Sequence, residues 1–144
     1  MIRRALLVAM CVLVVLMAVG CGGSDQSSDV KGVLWRWTAT LHGLDSSTGV
    51  SAVPGIGNYL LTLLEDGTFS AKADCNILGG TYSLSGSDLT LQPGPMTKIA
   101  CGKDSQSGEY IALLRRVATW EIYEDGQLAL GLENDAGYMY FSAA

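Results

Sequence analysis

Residues 68–92 read TFSAKADCNILGGTYSLSGSDLTLQ. Apolar and polar residues alternate through most of this stretch, so that Phe69 and Ala71 fall on one side of an extended chain. Such period-2 alternation predicts β-strands with one buried face. Gly at 79–80 and the Ser, Gly and Asp of 85–88 separate the alternating runs and predict hairpin turns. The stretch therefore predicts consecutive antiparallel strands.

The same alternation continues on both sides of this stretch. The predicted strands share it and have turn residues at their ends; they lie near 33–42, 58–65, 68–75, 80–85, 88–92, 96–101, 118–124, 127–133 and 137–142. One segment has helical spacing instead, and its apolar residues share a single helical face: Tyr110, Leu113, Leu114 and Val117. Asp104 or Ser105 is placed to cap the start of this helix. The predicted fold class is mainly β (α+β), with one amphipathic helix that covers the antiparallel sheet.

The N-terminus has the pattern of a secretory signal over residues 1–20. Arg3 and Arg4 precede an uncharged apolar run that ends in small residues. This run is shorter than a membrane-spanning helix requires. The motif Ala18-Val19-Gly20-Cys21 resembles a lipobox, at which a diacylglyceryl group is attached to the Cys thiol before cleavage. We therefore expect Cys21 to be the lipidated first residue of the mature protein.

The residues after Cys21 predict a short tether and a single domain. We divide the chain into a signal at 1–20, a flexible tether at 21–30 and one domain at 31–144, whose length suits one core. The mature part holds seven Lys and Arg against fourteen acids, a net charge of −7, with no basic patch. A nucleic-acid partner is not expected, because phosphate binding depends on clustered cations. The membrane is reached through lipid on Cys21.

Two of the four cysteines remain for the domain. Cys11 lies in the signal and Cys21 takes the lipid, which leaves Cys75 and Cys101 in an oxidising compartment. Alternation places each of the two on an apolar side of its predicted strand. A disulfide between them is our hypothesis. Two buried free thiols on separate strands remain the alternative, because the pairing depends on distances that a sequence does not give.

The domain carries short motifs in a definite order: Cys75-Asn76, Gly80-x-Tyr82, Thr97-x-x-Ala100-Cys101, Glu109-Tyr110 and Asp125-Gly126-x-Leu128. In this order they resemble the META domain, the family of the heat-inducible lipoprotein HslJ, over residues 31–142. The resemblance implies an antiparallel sheet curled into a cracked or partly open barrel, with one helix packed at its side and a location outside the cytoplasm. It also implies that Cys75, Asn76, Gly80 and Tyr82 form a structural motif rather than an active site.

The sequence contains no recognisable catalytic constellation, and we predict a protein that is not an enzyme. His42 is the single histidine, and no phosphate-binding or dinucleotide-binding glycine motif occurs. No metal or cofactor is expected. His42 itself is predicted to end the first strand near solvent.

Three binding functions stay open. The first is an envelope stress or integrity factor that binds another envelope protein. The second is a carrier of an apolar small molecule inside the barrel, and the third is a protease inhibitor that uses the loop 44–58. We expect the protein at the outer face of the cell membrane, or at the outer membrane in a host with two membranes.

Substituting Cys21→Ser removes the thiol that receives the lipid. We expect the variant to lose incorporation of labelled fatty acid, because acyl chains supply the membrane affinity, at about 0.8 kcal/mol per buried methylene. Metabolic labelling and intact mass measure the change. Cys11→Ser, inside the signal, is the matched control and keeps the label. A Cys21→Ser protein that still carries acyl mass would contradict the lipid anchor.

Overall fold

The structure, a computed structural model, describes residues 27–43, 49–55 and 57–144. Two helices, α1 (Ser27–Val30) and α2 (Ser107–Leu114), and a 3-10 turn at Glu133–Asp135 occur in this part of the chain. Its strands are β1 (Trp35–His42), β2 (Val50–Ala52), β3 (Tyr59–Leu63), β4 (Thr68–Ala73), β5 (Asn76–Ser85), β6 (Asp88–Met96), β7 (Val117–Ile122), β8 (Leu128–Leu132) and β9 (Gly137–Ala143). The predicted signal and Cys21 lie outside the described residues, as do 44–48 and 56 of the predicted inhibitor loop.

Eight of the strands form a closed antiparallel barrel in the order β1-β3-β4-β5-β6-β7-β8-β9. The ring closes because β1 pairs with β9 along its length, from Trp35 opposite Ala143 to His42 opposite Gly137. The other edge of β1 pairs with β3 and, farther along, with β2. The predicted mainly β fold with one α-helix packed on the sheet is present, but the expectation of a cracked or partly open barrel is wrong. Pairing between the two terminal ring strands is non-local, and strand alternation alone cannot reveal it.

The barrel interior is filled by aromatic and aliphatic side chains. Alternation along β1 directs Trp35 and Trp37 inward, where both are buried. The Trp37 ring centroid lies 5.4 Å from that of Tyr59 and 5.1 Å from that of Tyr110. Burial of a large apolar side chain contributes about 1.5–3 kcal/mol, so this cluster is a main source of stability. Tyr110 also packs near Phe141 of β9, which ties the helix to the closing strand.

Helix α2 delivers Tyr110 into the barrel and is shorter than its apolar spacing predicts. The Tyr110 hydroxyl donates to the backbone oxygen of Leu60, at 2.9 Å. The Ser105 hydroxyl accepts the backbone N–H of Ser107, one residue outside the helix cap. Val117, predicted on the helix, is instead the first residue of β7 and is buried there. Because Val117 is apolar and buried, it fitted the apolar spacing of the predicted helix, although it belongs to the next strand.

The sheet between β4 and α2 also departs from the predicted pattern. Strand β6 runs without a break to Met96, and the predicted strand at 96–101 is wrong, because the chain leaves the sheet after Met96. Asp74 adopts a left-handed conformation, with φ of 59°, so β4 ends in a tight turn. Cys75 therefore lies in that turn, and its predicted place on the apolar face of the strand is also wrong.

The barrel has two distinct ends, which β3 and β4 connect. At the N-terminal end, Val30 of α1 is buried and accepts a hydrogen bond from the Trp35 indole N–H, at 2.9 Å. Lys31 forms a bridge there with Leu63, the last residue of β3. Tyr59 begins β3 at the opposite end, about 13 Å away at the usual rise per residue. The fold thus already includes the last residues of the segment 21–30, which was predicted as a tether.

Gly80 is a position where the fold requires glycine, because an added Cβ would overlap the Gln92 carbonyl oxygen and lie 2.6 Å from Phe69 Cε1. We expect Gly80→Ala to lower the free energy of unfolding by about 1–3 kcal/mol, as overpacking does. Gly79→Ala is the matched control, since its Cβ meets nothing closer than 3.4 Å, and we expect a change within about 0.5 kcal/mol. Denaturant unfolding measures both. Equal effects at the two positions would contradict this account.

Candidate functional site

The side chain of Asn76 is the centre of a polar cluster at the end of the barrel opposite α1. Asn76 is the first residue of β5 and is only 4% exposed. Its Oδ1 accepts the backbone N–H of Ile99, at 2.8 Å, and the Thr97 hydroxyl, at 3.0 Å. Its Nδ2 donates to the Ile99 carbonyl oxygen, at 3.0 Å, and lies 3.2 Å from Cys101 Sγ. The carboxamide thus uses both its acceptor and its donor capacity on one short segment.

A disulfide between Cys75 and Cys101 adds a covalent link beside Asn76. The two Cα atoms are 5.6 Å apart, and both residues are half-buried. The predicted pairing is therefore present, and the alternative of two separate thiols does not describe this structure. With a separation of 26 residues, such a bond contributes roughly 3.5 kcal/mol in the chain-entropy model.

Ile77 supplies a third attachment. Its carbonyl oxygen accepts the Thr97 backbone N–H, at 3.1 Å, and its own N–H donates to the Thr97 hydroxyl, at 2.9 Å. Residues 97, 99 and 101 are thus each fixed to the barrel, by Ile77, by Asn76 and by the disulfide. We call residues 95–101 the clamped segment.

The clamped segment and the adjacent start of β5 expose large apolar side chains to solvent. Ile99 is 59% exposed, and Ile77 and Met96 are 61% and 36% exposed. Ile77 and Met96 line a shallow depression together with Gly79. Lys72, directly opposite Ile77 in the sheet, gives this surface a basic border. Contiguous apolar surface with a polar rim is typical of a protein-interaction site.

The remaining predicted site residues lie elsewhere. Gly80 packs against Phe69 inside the sheet. The Tyr82 hydroxyl donates to the Leu64 carbonyl oxygen, at 2.6 Å, toward the N-terminal end, and partial burial raises the pKa of Tyr82. The structure therefore unites Cys75, Asn76 and Cys101 but separates Gly80 and Tyr82 from them.

His42 ends β1 at an exposed position, as predicted, and its Nε2 lies 3.9 Å from a carboxylate oxygen of Glu109. Across residues 27–43, 49–55 and 57–144, no three His, Cys, Asp or Glu side chains are grouped so that they could hold a metal ion. No helix in the same part of the chain is long and apolar enough to cross a membrane.

Sequence reasoning missed three members of this site, namely Ile77, Thr97 and Ile99. Thr97 and Ile99 fall within the predicted strand 96–101, whereas Ile77 falls between the predicted strands 68–75 and 80–85. Alternation gives no sign that the Asn76 amide fixes the chain. The sequence feature that could have revealed these residues was Asn76, directly after Cys75, because a buried carboxamide needs several hydrogen-bond partners.

Comparison with known proteins identifies the family and the fold. A family model described as META domain matches residues 37–144. A protein from Burkholderia xenovorans, solved by NMR, is 22% identical, with a TM-score of 0.63 over 83% of this chain and 86% of that chain. A DUF4847-family protein from Bacteroides vulgatus, solved by crystallography, is 15% identical, with a TM-score of 0.60 over 83% and 96%. These identities support a shared fold alone. No curated protein matches the sequence.

Removing the Asn76 carboxamide tests the clamp. We expect Asn76→Ala to lower the free energy of unfolding by about 1–3 kcal/mol, since the backbone groups of Ile99 lose their buried partner. Ser83→Ala, at an exposed position of the same strand, is the control, with a change within about 0.5 kcal/mol. Denaturant unfolding gives the stability, and hydrogen exchange at the Ile99 amide reports the segment. Unchanged protection of that amide in Asn76→Ala would contradict the clamp.

Proposed function

This chain belongs to the META domain family, and we propose that it is a lipid-anchored envelope protein that binds another protein through the clamped segment. One observation carries the proposal. The backbone that carries the exposed side chain of Ile99 is fixed in place by a buried amide and a disulfide. A surface whose conformation is already fixed loses little entropy on binding, which favours affinity. The proposal is for binding rather than catalysis.

The position of the clamped segment suits a tethered protein. The chain enters the barrel through α1, at the N-terminal end, whereas Asn76 begins β5 at the opposite end. A lipid on Cys21 would therefore hold the first of these ends toward the membrane. The clamped segment would face away from the lipid, where a soluble or membrane-bound partner can reach it.

The proposal also includes a cellular role. We infer an envelope stress or integrity role, like that of the lipoprotein HslJ, from the family resemblance and from the signal and lipobox pattern that ends in Cys21. The outer face of the cell membrane, or the outer membrane where there are two, is the location that this pattern supports.

The carrier alternative has less support than protein binding. The rings of Trp37, Tyr59 and Tyr110 lie within 5.5 Å of each other, centroid to centroid, inside the barrel. Small barrels are commonly filled by such side chains. These three rings, together with Trp35 and Phe141, belong to the buried core of the described part of the chain.

A photo-crosslinking residue in place of Ile99, in the full lipoprotein within its native envelope, tests the proposal. We expect a discrete adduct with one envelope protein, which mass spectrometry can identify. The matched control is the same residue in place of Ser83, an exposed position of β5 outside the clamped segment.

A second variant shows whether the clamp matters for binding. Adding Asn76→Ala should abolish the adduct from position 99 at unchanged protein abundance, because the segment loses its fixed conformation. An adduct that forms equally from positions 99 and 83, or that survives Asn76→Ala, would contradict binding through the clamped segment.

A further inference from the structure

We propose that the protein partner is a serine protease of trypsin-like specificity outside the cytoplasm, and that the clamped segment inhibits it through Lys98. The proposal rests on the proposed function, because the same segment forms the contact surface. It adds the partner's chemical class, the residue that the partner recognises and the bond that its active site attacks.

The clamped segment has the accessibility that a protease active site demands. Residues 94–100 are exposed without interruption, and residues 97–102 belong to no helix or strand. No residue from 95 to 101 has a positive φ or a cis peptide bond. A segment that is exposed and outside the sheet leaves its backbone accessible to a partner that binds an extended stretch of chain.

Alternate attachment directs Lys98 outward. Thr97 is held by Ile77, and Ile99 is held by Asn76, so the residue between them carries no anchor to the barrel. Lys98 is exposed, and none of the ion pairs among the described residues includes it. A trypsin-like specificity pocket contains an Asp at its base and selects a Lys or Arg side chain. Lys98 is the cation that the clamped segment offers to such a pocket.

The two attachments beyond Lys98 explain why the segment would inhibit rather than be degraded. Attack of the protease Ser Oγ on the Lys98 carbonyl carbon forms an acyl-enzyme and breaks the bond to the Ile99 nitrogen. The proton of the Ser hydroxyl passes through the protease His to that nitrogen. Asn76 holds Ile99, and the disulfide holds Cys101. The new amine therefore stays beside the acyl group, and the reverse reaction restores the peptide bond faster than water hydrolyses it.

The exposed apolar side chains supply contact area around the reactive bond. Ile99 follows Lys98 directly, Met96 lies two residues before it in the same segment, and Ile77 borders the segment on the barrel. Protease–inhibitor interfaces are tight without being large, because their binding surfaces are already ordered before contact. The clamp gives this segment that order.

Inhibition of trypsin by the full mature lipoprotein, purified in detergent, tests the proposal. We expect stoichiometric, reversible inhibition, and we expect Lys98→Ala to weaken it by about 100-fold or more, as removal of a central anchor residue does. Lys103→Ala, an exposed lysine beyond the disulfide, is the matched control and retains inhibition. Lys98→Leu should transfer inhibition to chymotrypsin, whose pocket is a hydrophobic slot.

Two outcomes would overturn the proposal. One is cleavage after Lys98 at the rate of an unfolded peptide, with the protease left fully active. The other is no effect on trypsin at molar excess of the lipoprotein. The crosslink from position 99 separates these failures from failure of the proposed function. If that adduct persists while trypsin is not inhibited, only the partner class is wrong; if both are absent, the binding surface is wrong as well.

Discussion

The pairing of β1 with β9 is the constraint on which the rest of the structure depends. It joins the first and last ring strands, and it places Trp37 and Phe141 on neighbouring strands of one interior. Without this closure the aromatic cluster around Tyr110 would have one open side. Elsewhere the ring is joined more weakly, since β6 and β7 share a single register pair, Asp88 opposite Thr119. The connection between these two strands carries residues 97–101 of the clamped segment and α2, which are attached to the barrel through Asn76 of β5 and Leu60 of β3.

The barrel interior is filled by side chains, and the proposed function places recognition on the outer surface. Buried polar groups favour one conformation only when all of their partners are present. Asn76 meets this condition, because its amide contacts both Ile99 and Thr97. The same side chain thus completes the barrel end and fixes the conformation of the residues that a partner would meet. The stability of this barrel end and, under the proposed function, recognition of a partner both depend on one buried amide.

The local pattern predicted most of the fold. Alternation identified β4, but the turn predicted at Gly79–Gly80 is wrong, because both glycines lie within β5 and the chain turns at residues 74–75. The two cysteines outside the predicted signal and lipobox identified the disulfide. Alternation failed where a side chain, rather than strand pairing, determines the path of the backbone. Residues 97–101 resemble a strand in sequence, but Asn76 draws them out of the sheet. Closure of the barrel and the start of β7 at Val117 depend on contacts that are remote in sequence, which local periodicity does not encode.

The disulfide that forms part of the clamp depends on the cellular compartment in which the chain lies. Thiols stay reduced in the cytosol, and disulfides form after export. Under the export proposed for this chain, a newly made molecule inside the cell would hold Ile99 through Asn76 alone, with Cys75 and Cys101 unlinked. Its recognition surface would remain immature until oxidation, so the protein would be latent in the compartment of its synthesis and become competent only after it arrives.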